Sequence, residues 1–109
     1  MANTEMLALL PLFMAQTRSR LKDMEIYRQA MSDPQDGAAA MKAIYTLAHT
    51  ISGTADTFGF SDLGKYARRI DDITLHTAFG PEDTAVLRPQ MEIAVTELMQ
   101  EMSRVLSSE

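Results

Sequence analysis

Chain breakers divide this sequence into a few long stretches, and that spacing constrains the fold more than any other feature. Pro11, the run Asp33-Pro34-Gln35-Asp36-Gly37, the run Phe58-Gly59-Phe60-Ser61, Gly80-Pro81 and Pro89 stand apart from one another. They leave segments of about 20 residues, several times the length of a typical strand and comfortable for helices. β-branched residues are scattered, and no apolar/polar alternation persists for more than a few positions.

Each segment carries an apolar stripe at helical spacing. The first, from near Pro11 to Ser32, has Leu10, Phe13, Met14, Thr17, Leu21, Met24 and Tyr27 on one side. Pro11 suits a first turn, where its missing N–H is not needed, so Thr4 to Leu10 is expected as a separate short helical segment across one end. A second helix, from about Asp36 to Thr57, buries Ala40, Met41, Ile44, Leu47, Ala48, Ile51, Ala55 and Phe58. Ser61 is placed as the cap of a third, striped by Leu63, Tyr66, Ala67, Ile70, Ile73 and Thr74. The fourth, starting near Pro81 or Pro89, shows Leu87, Met91, Ala94, Val95, Leu98, Met102 and Val105. Pro89 belongs either in a first turn or at a break after a short lead-in. The expected fold is all-α, an antiparallel up-down-up-down four-helix bundle with a short N-terminal helical segment, formed as one domain over residues 1–109.

Composition removes several classes of function. The 109 residues include no Cys, so disulfides, thiolate metal sites and cysteine nucleophiles are excluded. With two histidines, His49 and His76, one chain cannot supply a multi-imidazole site. A formal net charge of -5 argues against a general nucleic-acid binder. The nine methionines read as adaptable core filler. The apolar stretch from Met6 to Ala15 is about half the length a membrane span needs, and Glu5 ahead of it, with no Lys or Arg before Arg18, does not suit a signal peptide. A soluble, cytoplasmic protein with no membrane association is expected.

The second helix holds the position with chemical interest. At 100° per residue, His49 falls roughly 150° from the apolar stripe, beside Lys42, Tyr45, Thr46, Ser52, Gly53 and Asp56. Gly53 lies one turn beyond His49 on the same face, inside a helix, where glycine costs about 1 kcal/mol relative to alanine. With the small Ser52 and Thr54 beside it, this is a histidine that another protein surface can approach closely.

The run Ala48-His49-Thr50-Ile51-Ser52-Gly53-Thr54-Ala55-Asp56-Thr57-Phe58-Gly59-Phe60, followed by Leu63, Ala67 and Ile70-Asp71, resembles the signature of histidine phosphotransfer (HPt) domains. Leu10-Pro11-Leu12-Phe13 resembles the family's first helix. The resemblance implies a four-helix bundle whose exposed histidine, here His49, takes a phosphoryl group from an aspartyl phosphate on a receiver domain and passes it to a second receiver. It implies a phosphoryl carrier rather than an autonomous enzyme, with response-regulator receivers and a hybrid histidine kinase as partners. It implies a monomer that needs no cofactor of its own, since Mg²⁺ sits on the receiver.

Under this resemblance Asp71 is placed to accept from Nδ1–H of His49, leaving Nε2 to attack; the family usually has Glu or Gln there, and Asp reaches one bond less far. Ser52 stands where the family most often carries Lys. Lys42, Lys65, Arg68 or Arg69 would then supply the missing charge, and Arg68, sharing a helix flank with Gly64, Asp71 and Leu75, is the best placed. Tyr45 and Leu75 lie outside the inner stripes and are candidates for a docking patch. His76 receives no role. Of other readings, the phosphoacceptor domain of a histidine kinase expects an acidic residue after the histidine and Pro five residues after it, where Thr50 and Thr54 stand. A structural adaptor, or an HPt-like domain without transfer, fits the absent Lys. A metal or haem bundle lacks a second inward histidine.

Overall fold

The computed structural model describes residues 4–108, the side chains of Thr4 and Met6 excepted. Four helices follow one another: α1 (Thr4–Ala30), α2 (Gly37–Ala55), α3 (Ser61–Thr74) and α4 (Pro81–Ser107), with a 3₁₀ turn (Asp56–Phe58) ending α2. Each packs against its neighbours around the ring α1–α2–α3–α4, and α2 and α4 add a diagonal contact. Cross-helix pairs set the directions: Phe13 of α1 stacks on Phe58 beyond α2, and Arg69 of α3 pairs with Glu97 of α4. The antiparallel four-helix bundle expected from the breaker spacing is what forms.

The predicted stripes build the core. Phe13, Met14 and Met24 of α1, then Ala40, Met41, Ile44, Ala48, Ile51 and Ala55 of α2, are buried. Leu63, Ala67 and Ile70 of α3 meet Met91, Ala94, Val95, Leu98, Met102 and Val105 of α4. Among the described residues six methionines lie in this core, in agreement with their use as filler. Buried Thr17 and Thr74 satisfy their hydroxyls by donating to the carbonyls of Phe13 and Ile70 one turn back. Glu101, buried although charged, is held by Arg104, whose guanidinium is pushed above its ordinary pKa by that hydrogen bond. On α1, hydrogen bonds from Arg28 hold the Glu25 carboxyl below the usual range.

Three boundaries differ from expectation. The separate N-terminal segment does not form: α1 runs unbroken from Thr4 with Pro11 inside it. Pro89 likewise lies inside α4, which starts at Pro81 in the first turn. Both prolines face solvent, so each removes one ladder bond where the orphaned carbonyl can turn to water, and good helix formers on either side carry the helix through. Ser61 is the first helical residue rather than the cap; Phe60 takes that place without a side-chain cap bond. The chain arrives there from Gly59, whose φ of 83° lets Gly59 N–H donate to Asp56 O and Phe60 N–H to Ala55 O. Phe60 then packs its ring on Phe13 at 5.2 Å, and that packing takes the place of a polar cap.

The α1–α2 connection leaves no room for a side chain at Gly37, where a Cβ would lie 2.8 Å from the Met31 carbonyl oxygen. Gly37→Ala is expected to cost about 1–3 kcal/mol in urea unfolding, because backbone rather than a flexible side chain must yield. Unchanged stability would show that the connection shifts freely.

Candidate functional site

The site is built on the shallow groove between α2 and α3. Alanines and isoleucines turn α2's apolar face inward, which places His49 outward with 70 % of its side chain exposed. Across the groove Asp71, 25 % exposed, presents Oδ2 at 3.5 Å from His49 Nδ1. That is ion-pair range but longer than a well-formed hydrogen bond. The other carboxylate oxygen, Oδ1, is buried with no hydrogen-bond partner. Asp71 is thus brought to the expected nitrogen, with a gap that matches its short side chain. Asp71→Glu is expected to close it and shift the imidazole toward its Nδ1–H tautomer by roughly two- to tenfold, the worth of one hydrogen bond. ¹⁵N NMR of the ring nitrogens reads this directly, and an unmoved tautomer ratio would show that Asp71 does not orient the ring.

Aromatic rings bound the imidazole on the N-terminal side. Tyr45 stacks against His49 with centroids 6.0 Å apart, and Phe79 lies 5.9 Å from Tyr45. Phe79, in the α3–α4 connection, was not singled out from the sequence; a lone aromatic ahead of Gly80-Pro81 was the available signal. Its φ of 57° is uncommon for a bulky residue. The surrounding connection is held by Asp83, whose Oδ2 accepts from Thr77 Oγ1 and Ala78 N–H, and by Thr77 Oγ1 accepting from Phe79 N–H.

Polar side chains next to His49 are turned away from it. Ser52 Oγ donates to the His49 carbonyl at 2.9 Å, and Thr46, Thr50 and Thr54 likewise donate to carbonyls of α2. A Cβ at Gly53 would meet nothing within 4 Å, so the surface beyond His49 is open. Lys42 is exposed, two turns before His49 on the same line.

Of the other candidate cations, Arg69 is engaged on the far side with Glu97 at 2.7 Å. Arg68 Nη1 is bound by Asp56 Oδ2 at 2.9 Å, in a pair seated over Gly64. A Cβ at Gly64 would fall 2.6 Å from Asp56 Oδ1 and 3.1 Å from Arg68 Nη1, so that seat exists because residue 64 has no side chain. The sequence placed Asp56 on the histidine face and Arg68 on the facing flank but did not show that they pair. Leu75, at the end of α3, is 69 % exposed. His76 lies beyond α3 and lines a separate groove with Asp72, Glu82 and Asp83. Among the described residues no group of three or more His, Asp or Glu side chains is arranged to hold a metal ion. No helix among them is long and apolar enough to cross a membrane.

The geometry is that of an exposed imidazole with a carboxylate at Nδ1 and an unobstructed approach. No curated protein and no solved structure matches the chain significantly. The sequence model of the Hpt domain matches residues 8–107, nearly the whole chain, including both helices that form the groove. Hpt domains are the phosphocarrier modules of two-component phosphorelays, and this chain belongs to the Hpt domain family.

Proposed function

We propose that this protein is a phosphorelay carrier in which His49 receives a phosphoryl group from the aspartyl phosphate of a receiver domain, such as that of a hybrid histidine kinase, and delivers it to a response-regulator receiver. The observation that carries this reading is the exposed His49 ring with Asp71 at its Nδ1 and open surface at Gly53. In the transfer, the Nε2 lone pair attacks phosphorus as the bond to the aspartyl oxygen breaks, and the carboxylate leaves. Nδ1 keeps its proton, and the positive charge the ring acquires faces Asp71. Positioning and charge stabilisation dominate phosphoryl transfer, so a carrier needs little machinery of its own. The receiver brings the Mg²⁺ and the acidic pocket. In this reading the carrier acts as a cytoplasmic monomer, and Tyr45 and Leu75 offer apolar surface to the receiver beside the histidine.

Incubation with a phosphorylated receiver tests the proposal: label should appear on this protein as an acid-labile, base-stable adduct. A second reading, an adaptor that binds receivers without transfer, is favoured by one feature, the Ser52 hydroxyl turned onto its own helix where a cation would serve the phosphoryl group. Binding to receivers with no label transferred from any of them would support the adaptor.

A further inference from the structure

We infer that Arg68 is the cation that serves the phosphoryl group on His49, that Asp56 holds it in reserve until phosphorylation, and that the Gly53 gap is the path along which it exchanges partners. The inference rests on the phosphoacceptor reading of His49 and adds a residue-level response to it.

The placement follows from helical register. His49 on α2 and Asp56, the residue that follows α2, are seven positions apart, which at 100° per residue brings them to within about 20° of one line, two turns apart. Asp56 keeps helical backbone angles, φ -63° and ψ -36°, so that line continues to it. On α3, Arg68 and Asp71 are one turn apart. The groove therefore holds two cross-helix pairs in succession, His49–Asp71 at 3.5 Å and Asp56–Arg68 at 2.9 Å. Gly53 lies on α2 between them, with nothing within 4 Å of where its Cβ would be. A guanidinium leaving Asp56 toward His49 crosses bare helix. Lys42, the other cation on this line, lies on the side occupied by Tyr45, whose ring stacks on His49.

Charge supplies the direction. Arg68 and Asp56 have side chains 44 % and 53 % exposed, and an ion pair in that setting is weak. A phosphorylated His49 carries close to two negative charges and three acceptor oxygens, a better match to a planar five-donor guanidinium than one carboxylate. Ser52 contributes no cation, and its hydroxyl is committed to the His49 carbonyl. The seat at Gly64 keeps Arg68 aligned along the groove instead of free in solvent, so the unphosphorylated face presents a neutralised pair.

Phosphoramidate, which transfers its phosphoryl group to an imidazole nitrogen with loss of ammonia, loads His49 without a partner protein. On loading, the ¹⁵Nε–Hε signal of Arg68 is expected to shift while that of Arg69 stays in place. The loading rate should fall about three- to tenfold in Arg68→Ala and rise in Asp56→Asn. In Asp56→Asn/Arg68→Ala the rise should vanish, leaving the rate of Arg68→Ala. An Arg68 signal unmoved on a loaded His49 overturns the exchange. So does a gain from Asp56→Asn that persists without Arg68, since that would be a general field effect. A loss caused by Lys42→Ala in place of Arg68→Ala also overturns it. Absence of phosphohistidine in every variant refutes the phosphoacceptor reading itself, and the exchange with it.

Discussion

His49→Gln is expected to abolish phosphoryl transfer to this protein while leaving its thermal midpoint nearly unchanged. The imidazole is the nucleophile in the proposed reaction, and an amide has no lone pair of comparable reactivity at that position. The fold does not depend on it: the ring is 70 % exposed, and its contacts are a stack on Tyr45 and the approach of Asp71. Surface substitutions of this kind stay within about 0.5 kcal/mol. Receiver-dependent labelling and calorimetry together check the result, because loss of label with loss of helix would show only unfolding. The protein has two histidines, so base-stable label surviving in His49→Gln would move the assignment to His76 and its groove at the α3–α4 end.

Gly53 separates stability from function in opposite directions. Gly53→Ala is expected to stabilise the protein by about 1 kcal/mol, since the helix gains propensity and the added methyl meets nothing. That corresponds to a rise in midpoint of roughly 4 °C. Gly53→Leu fills the surface beside the imidazole, and transfer from a receiver should fall about a hundredfold, the scale that small misplacements of reacting groups produce. Loading by phosphoramidate, a donor smaller than the obstruction, should slow by no more than the about three- to tenfold expected when Arg68 cannot reach His49. Equal slowing with both donors would show that the leucine disturbs His49 itself rather than the approach of a protein. Unimpaired transfer from the receiver would remove the docking surface from this part of α2.

The helices and their inward faces were legible because burial follows a period that a single sequence displays. Met41, Ile44, Ala48 and Ile51 could be placed inside, and His49 outside, without knowing what α2 packs against. What required the structure was the geometry between helices. The Asp56–Arg68 pair, the 3.5 Å gap at Asp71 and the contact of Phe79 with Tyr45 depend on axial register and interhelical distance, which periodicity does not encode. Glu101 lies on the stripe side of α4 and is buried because Arg104 on the same helix reaches its carboxylate. Pro11 and Pro89 were read as boundaries because proline is disfavoured inside helices, yet that rule weakens on a solvent-facing side. Gly37 and Gly64 are informative only once the atoms they make room for are known.

The two interior prolines also bear on how the helices come apart. Each interrupts a run of amide–carbonyl bonds about two turns from the start of its helix. Unwinding that begins at the α1 or α4 N-terminus therefore reaches a position where one fewer bond links it to the next turn, and it can stop there. The first turns of α1 and α4 form short units whose opening free energy lies below that of the bundle, while the turns beyond Pro11 and Pro89 share the fate of the core. Melting of the long helices is thus divided by sequence into an early, local event at each N-terminus and one cooperative event for everything the core holds, including the two helices that carry the histidine groove.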